Sequence, residues 1–371
     1  MSNVEPAVTG PKNQGTKTII ALAAVVVVLA GVRAISDAVI NPLLLALFIT
    51  IIISPYLSWA QKRGISPATS ILVILSTLIV ASLFAVALLG TSLQQFSQQL
   101  PEYTSMLSNK EQLLMSWLED HGLSSKATGR EHLFDANAVG KLFAQLINSL
   151  IGILGKSVII LVLVGFMLAE IAWLPDKIKA ASTNSSDAME RVGLVAENIR
   201  RYIAIKTVVS LLTGLIVATG TYLFGVPFPA VWGFLAFLLN YIPNIGSIIA
   251  SVPAILVAFL SPQGLQLGFT TIEMGGVTTA LLTSGLYVFV NQLFGSFVEP
   301  RWQGRGLGLS PLVVFVSLLF WGWILGPIGM LLSAPLTMAV KIALEGYDDT
   351  RWLAVLLSGN PKRALTTDSS A

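Results

Sequence analysis

The chain has 371 residues, of which 54% are hydrophobic and only 11% charged, and its mean hydropathy is +0.78. A soluble globular domain carries about 25% charged residues, so this composition excludes an ordinary soluble protein and points to a polytopic membrane protein. The formal net charge of +3 gives no support to nucleic-acid binding, and the absence of cysteine excludes disulfides, cysteine metal sites and thiol catalysis.

Residues 1–17 are polar, contain Pro and Gly, and read as a disordered cytoplasmic tail. Apolar spans are expected at 18–36, 38–58 and 67–91, the first two joined by a tight polar turn around Asp37. A span needs about 20 apolar residues to cross about 30 Å of hydrocarbon, and 68–90 supplies that length without a charge. Lys12 and Lys17 precede the first span, and Lys62 and Arg63 separate the second from the third. Basic residues favour the cytoplasmic side, which puts 92–150 outside.

That extracytoplasmic insert carries Leu93, Phe96, Leu100, Tyr103 and Leu107, then Val139, Leu142, Leu146 and Leu150, at spacings of three and four. Two amphipathic helices around a polar loop are expected, packed on each other or on neighbouring subunits. His121 and His132 have no ligand cluster near them in sequence and read as loop residues.

A fourth span is expected at 151–174, with Lys156 snorkelling outward and Glu170 near its inner end. Intramembrane carboxylates are costly and mark ion or proton paths, which makes Glu170 a candidate coupling residue. Residues 175–202 are basic and place Met189, Val192 and Ile199 on one face with Tyr202 and Ile203, the pattern of a helix at the cytoplasmic interface. A fifth span follows at 203–224 and opens a core running to residue 345.

Within that core, the apolar run from Pro229 is broken by Asn240, Tyr241, Pro243, Asn244, Gly246 and Ser247, and "SIIASVPAILVAFL" leads away from the break. Each arm of about 14 residues reaches about 21 Å, short for a crossing. The segment 229–260 therefore reads as a re-entrant hairpin, or as two short tilted spans with a cytoplasmic turn. A sixth full span at 272–297 holds Asn291 and Gln292, adjacent amides that serve helix packing or solute contact. Glu273 lies at its outer end; Glu299 and Arg301 flank Pro300 at its inner end, as a gate, a coupling pair or an interfacial anchor.

Residues 310–341 repeat the hairpin punctuation. Pro311 opens the segment as Pro229 does, Gly326, Pro327 and Gly329 turn it, and Ser333-Ala-Pro335 echoes Ser251-Val-Pro253. Hairpins of opposite entry are the mark of an inverted repeat, whose broken helices face a solute path. Trp321 and Trp323 read as packing or interface anchors. Residues 346–371 read as a cytoplasmic tail.

The stretches "FPAVWGFLAFLLNYIPNIGSIIASVPA", "FGSFVEPRWQGRGLGLSPLVVFVSLLFWGWILGPIGMLLSAPLTMAVKIALE" and "RYIAIKTVVSLLTG" carry a family likeness. The chain resembles the bacterial autoinducer-2 exporter superfamily of PerM-like permeases, and most closely its quorum-signal transport branch. The resemblance covers nearly the whole chain. It implies an inner-membrane permease, homo-oligomeric (pentameric in family members), associated with export of the furanone-type signal autoinducer-2. Some relatives are associated instead with sodium/proton antiport.

The expectation is thus an all-α polytopic membrane protein of about six full spans, two re-entrant hairpins and a small helical insert. It moves a small polar solute or ions, uses no cofactor and is not an enzyme. An ATP-driven pump is disfavoured because no G-x-x-x-x-G-K-[ST] loop is present, and an intramembrane hydrolase lacks an activated nucleophile. A non-transporting scaffold built on the insert remains the alternative from another class.

Overall fold

The computed structural model describes residues 12–121, 136–181, 185–242, 245–260, 265–267, 270–272, 275–303, 308–346 and 348–359. His132, Pro243, Asn244 and Glu273, together with both ends of the chain, lie outside the described residues. The protein is an all-α polytopic membrane protein. Among the described residues, six helical stretches are long and apolar enough to cross a membrane: Val26–Lys62, Pro67–Asp120, Ala138–Gly155, Ile199–Leu223, Gly276–Trp302 and Pro311–Glu345.

Helix α1 (Lys12–Ile35) is followed by a π-helical segment, Ser36–Ile40, and then by α2 (Asn41–Lys62). The tight turn expected around Asp37 is therefore helical. Ser and Asp open turns readily, but here Ser36 bonds back to the Arg33 carbonyl (2.8 Å) and Asp37 accepts from Asn41 Nδ2 (3.0 Å), which keeps both residues on the helix. Pro42 falls at the start of α2, where its missing N–H costs least.

Helix α3 (Pro67–Asp120) starts at an N-cap in which Ser66 Oγ accepts from the Thr69 amide (3.2 Å), with Pro67 in the first helical position. Its 54 residues are one unbroken element, about 81 Å long, so the third span and the first insert helix are a single rod. Helix α4 (Ala136–Gly155) packs back on it. The stripe that meets α3 is Phe143, Ile147 and Leu150; Leu142, assigned to that stripe by spacing, is 60% exposed. Helix α5 (Ser157–Ala181) continues after Lys156.

The interfacial helix and fifth span expected to meet near residue 202 are likewise one element, α6 (Ser185–Leu223). Nothing in 199–206 breaks a helix, and Ile199, Tyr202 and Ile203 are buried within the protein rather than spread on a surface. Then come α7 (Pro229–Leu239), α8 (Gly246–Leu260) and an antiparallel ribbon of β1 (Leu265–Leu267) and β2 (Thr270–Ile272). Helix α9 (Gly276–Asn291) passes through a second π-helical segment, Gln292–Val298, into α10 (Glu299–Gln303). Helix α11 (Pro311–Glu345) and α12 (Arg351–Leu357) complete the chain. The expected C-terminal tail is in part structured: α12 packs on α11, and Ser310 N donates to Leu357 O (3.1 Å).

Helix association in lipid depends on close packing rather than on hydrophobic driving force. One such contact is α6 against α7. A Cβ at Gly214 would lie 2.7 Å from Gly233 O, and one at Gly233 would lie 2.6 Å from Ala218 Cβ, so the contact exists only because these residues are small.

Candidate functional site

The two segments with hairpin punctuation both fold back on themselves. In the first, α7 and α8 pack together around the break at 240–245, and Gly246 lies so close to α7 that a Cβ there would sit 1.7 Å from Leu239 O. In the second, α11 is interrupted at Gly326, whose φ of 67° and ψ of −150° lie outside any helix. Trp321 Nε1 donates to Thr337 Oγ1 at 3.0 Å, whereas a straight helix would separate those residues by about 24 Å. The arms 311–325 and 327–345 are therefore antiparallel.

The two turns share a device. Leu239 and Trp321 each stand ten residues after their opening proline, Pro229 and Pro311, and each presents its carbonyl to a glycine of the returning arm. A Cβ at Gly329 would lie 2.0 Å from Trp321 O, matching the relation of Gly246 to Leu239. On the returning arms Ser251 and Ser333 each donate to a carbonyl three residues back. Proline opens the arm, glycine permits the backbone contact, and each serine bonds back to its own helix two residues before an interior proline, Pro253 or Pro335.

Each break is held by side chains from other helices. At the first, Asn240 Nδ2 donates to Ser210 Oγ (2.9 Å) and Tyr241 OH donates to Thr207 Oγ1 (2.8 Å), both on α6, while the Tyr241 ring meets Phe48 of α2 edge-on at 5.6 Å. At the second, Asn41 of α2, 1% exposed, donates through Nδ2 to the carbonyl of Leu325 (3.1 Å), the last residue before the turn. Its Oδ1 is buried and has no partner. A Cβ at Gly326 would meet nothing within 4 Å, so space is open beside this break. Arg33 of α1 lies over the Trp323 ring at 5.0 Å, and Lys156 Nζ donates to Asp37 O (3.0 Å).

The hairpins do not pack extensively on each other among the described residues; both rest against α2 and α6. Asn41 and Phe48 mark the two contacts on α2, seven residues or about 10 Å apart along its axis. Beside them Ile199, Tyr202 and Ile203 of α6 share one cluster with Ala334 and Met338 of the second hairpin.

A buried ion pair ties α6 to the end of the long span. Lys206 Nζ lies 2.7 and 2.9 Å from the two carboxylate oxygens of Glu299, and the two side chains are 5% and 17% exposed. Arg301 lies over the Phe297 ring.

The structure thus brings Asn240, Tyr241, Gly246 and Ser247 to one break, with Gly326, Pro327 and Gly329 at the other. It does not bring Asn291 or Gln292 to either: both are exposed, and Gln292 Oε1 accepts from Ser296 Oγ (2.7 Å) within its own π-helical segment. Glu170 forms an exposed ion pair with Lys177, and His121 stacks on Trp117 at the end of α3. Sequence reasoning missed Asn41, Thr207, Ser210 and Lys206. Thr207, Ser210 and Lys206 are polar residues inside a membrane-length helix, the signal that could have selected them, whereas Asn41 stands at the start of α2 just after Ser36 and Asp37.

Long apolar helices, two hairpins made from broken helices, and polar side chains gathered at the breaks define a polytopic membrane protein of the transporter class. The particular assignment follows from comparison: residues 20–349 match the model of the AI-2E family transporter, and the chain belongs to that family. It is 36% identical over 344 residues to the AI-2 transport protein TqsA of Escherichia coli strain K12, covering 93% of this chain and 96% of the relative. It is 35% identical over 356 residues to the putative transport protein YhhT of the same organism, covering 96% and 98%. A putative transport protein of Haemophilus influenzae is 36% identical over 348 residues, covering 92% and 96%.

Proposed function

We propose that this protein is an inner-membrane permease that exports a small neutral polar solute, autoinducer-2, by facilitated or secondary transport. Both termini are cytoplasmic, the protein works as a homo-oligomer, and it performs no covalent chemistry on its cargo. The two hairpins are re-entrant, and their breaks line the path. One observation carries the reading: both breaks are held by amides and hydroxyls from α2 and α6, and Asn41 Oδ1 is left buried and free to accept a hydrogen bond at the second. A backbone break facing lipid would cost several kcal/mol for each unpaired group; a break facing a polar route does not.

The cargo assignment draws on the relative named as an AI-2 transport protein. It also fits the chemistry of the breaks, whose described side chains offer amide and hydroxyl groups. In this reading Glu299, with Lys206, forms the cytoplasmic gate, Arg301 anchors it at the interface, and Glu170 is a secondary coupling candidate with Glu273. Flux in proteoliposomes tests the proposal: labelled autoinducer-2 leaves vesicles holding the protein faster than empty ones, and sodium addition drives no pH change. Sodium-driven pH change without signal flux would establish antiport instead.

A further inference from the structure

A cavity of about 500 Å³ lies away from both breaks, where α3 passes the loop between α6 and α7. Ligand sites for small molecules occupy about 300–1,000 Å³, so the volume suits a compact solute. One wall is α3, which presents Ser92, Gln95 and Gln99, spaced three and four residues apart on one face. Tyr222 of α6 faces them across a floor formed by residues 225–229.

The floor is pre-formed. Val226 N donates to Thr221 O (2.9 Å) and Gly225 N to Tyr222 O (3.0 Å), a helix-ending closure that needs the left-handed backbone Gly225 adopts at φ 67°. Phe228 is also left-handed, at φ 60°, the one described residue other than glycine with positive φ. Such a conformation persists only where its surroundings over-determine it. Here the Phe228 and Trp232 rings both meet Phe96 of α3, at 5.3 and 5.4 Å, and Trp232 Nε1 donates to Pro227 O (2.6 Å). The packed rings thereby fix the spacing between the floor and the α3 wall.

The lining chemistry is specific. None of the described lining side chains is charged. Gln99 Oε1 already accepts from Tyr103 OH (3.3 Å), which leaves its NH₂ to donate outward, and Ser92 Oγ donates to Leu88 O (3.1 Å), which leaves its lone pairs to accept. Gln95 and the Tyr222 hydroxyl can each do both. An ion would find no counter-charge in this groove, whereas a molecule bearing several hydroxyl or carbonyl groups would find donors and acceptors together.

We propose that this groove binds a small neutral polyhydroxylated solute beside the start of the first hairpin, as a docking station separate from the path at the breaks. The proposal deepens the transport reading and rests on it for the choice of solute. Two direct hydrogen bonds correspond to a loss of affinity of about 5- to 150-fold when both are removed.

The test uses the full chain in lipid nanodiscs with autoinducer-2 as probe, read by equilibrium dialysis, alongside flux in proteoliposomes. The Gln95→Leu/Gln99→Leu variant is expected to weaken binding about tenfold. Tyr222→Phe removes one exposed hydroxyl without touching the packed rings and should weaken binding by a few-fold, which reads the groove independently if the double variant folds poorly. No binding by the unmodified chain, or binding within twofold in all groove variants, overturns the groove. Binding that depends on the groove, with no flux by the unmodified chain, overturns the transport reading and leaves the groove standing.

Discussion

Removing one partner of the Lys206–Glu299 pair should destabilise the protein far more than removing both. At the observed 2.7 Å and an effective dielectric of about 20, the attraction is about 6 kcal/mol before desolvation is subtracted. Lys206→Met takes from the Glu299 carboxylate, in a site only 17% exposed, the lysine that meets both its oxygens, and breaking a buried pair typically costs about 3–5 kcal/mol. Replacing both, Lys206→Met with Glu299→Leu, removes the attraction together with both desolvation penalties and should come within about 1–2 kcal/mol of the unmodified chain. The assay is a double-mutant cycle on unfolding free energy in mixed micelles. With about 3–5 kcal/mol for each single variant and about 1–2 for the double, a coupling of at least about 4 kcal/mol is expected; single variants that each lose less than about 1 kcal/mol would show that the pair is hydrated and refute its role as a buried tie.

Asn41→Ala removes the donor that satisfies Leu325 O across the second break and should cost about 1–3 kcal/mol, read as a lower thermal midpoint in detergent. Gly246→Ala and Gly329→Ala should prevent assembly, because the new methyl would overlap Leu239 O or Trp321 O; size-exclusion profiles should show aggregate. Gly285→Ala, in a helix interior with nothing within 4 Å, should be neutral or stabilising by up to about 1 kcal/mol. Trp321→Phe deletes the bond to Thr337 and should cost about 0.5–1.5 kcal/mol, with no further loss when Thr337→Val is added.

The hairpins were legible because their causes are local. Proline and glycine are the residues that most readily open and turn an apolar helix, and Pro229, Gly246, Pro311 and Gly329 fall at matching places in the two hairpins. What satisfies the breaks was not legible, because it comes from far along the chain. Asn41 reaches a carbonyl 284 residues away, and Lys206 pairs with a carboxylate 93 residues away. Nothing in the local sequence distinguishes Asn41 from a polar residue at a turn.

Helix continuity failed for a related reason. Ser36 and Asp37 suit a turn and a π-helical segment equally, and the choice falls to the contacts made with Asn41 and Lys156. In the insert, spacing placed Val139 and Leu150 on the packed face of α4 but chose Leu142 where Phe143 is buried. The aromatic cluster around Phe96 selects Phe143, which leaves Leu142 outside. Glu299 was visible as an acid at a span end, but its partner could not be read from its neighbours, of which Arg301 was the nearest basic candidate.

The most direct test of the two-hairpin path uses the absence of native cysteine. Asn240→Cys and Pro327→Cys, introduced singly, are probed in oriented membrane vesicles with a membrane-impermeant thiol reagent applied to each side in turn. The account predicts that both react, one from each face, and that added autoinducer-2 slows both. Labelling of both from the same face, or complete protection of both whether or not solute is present, would contradict it.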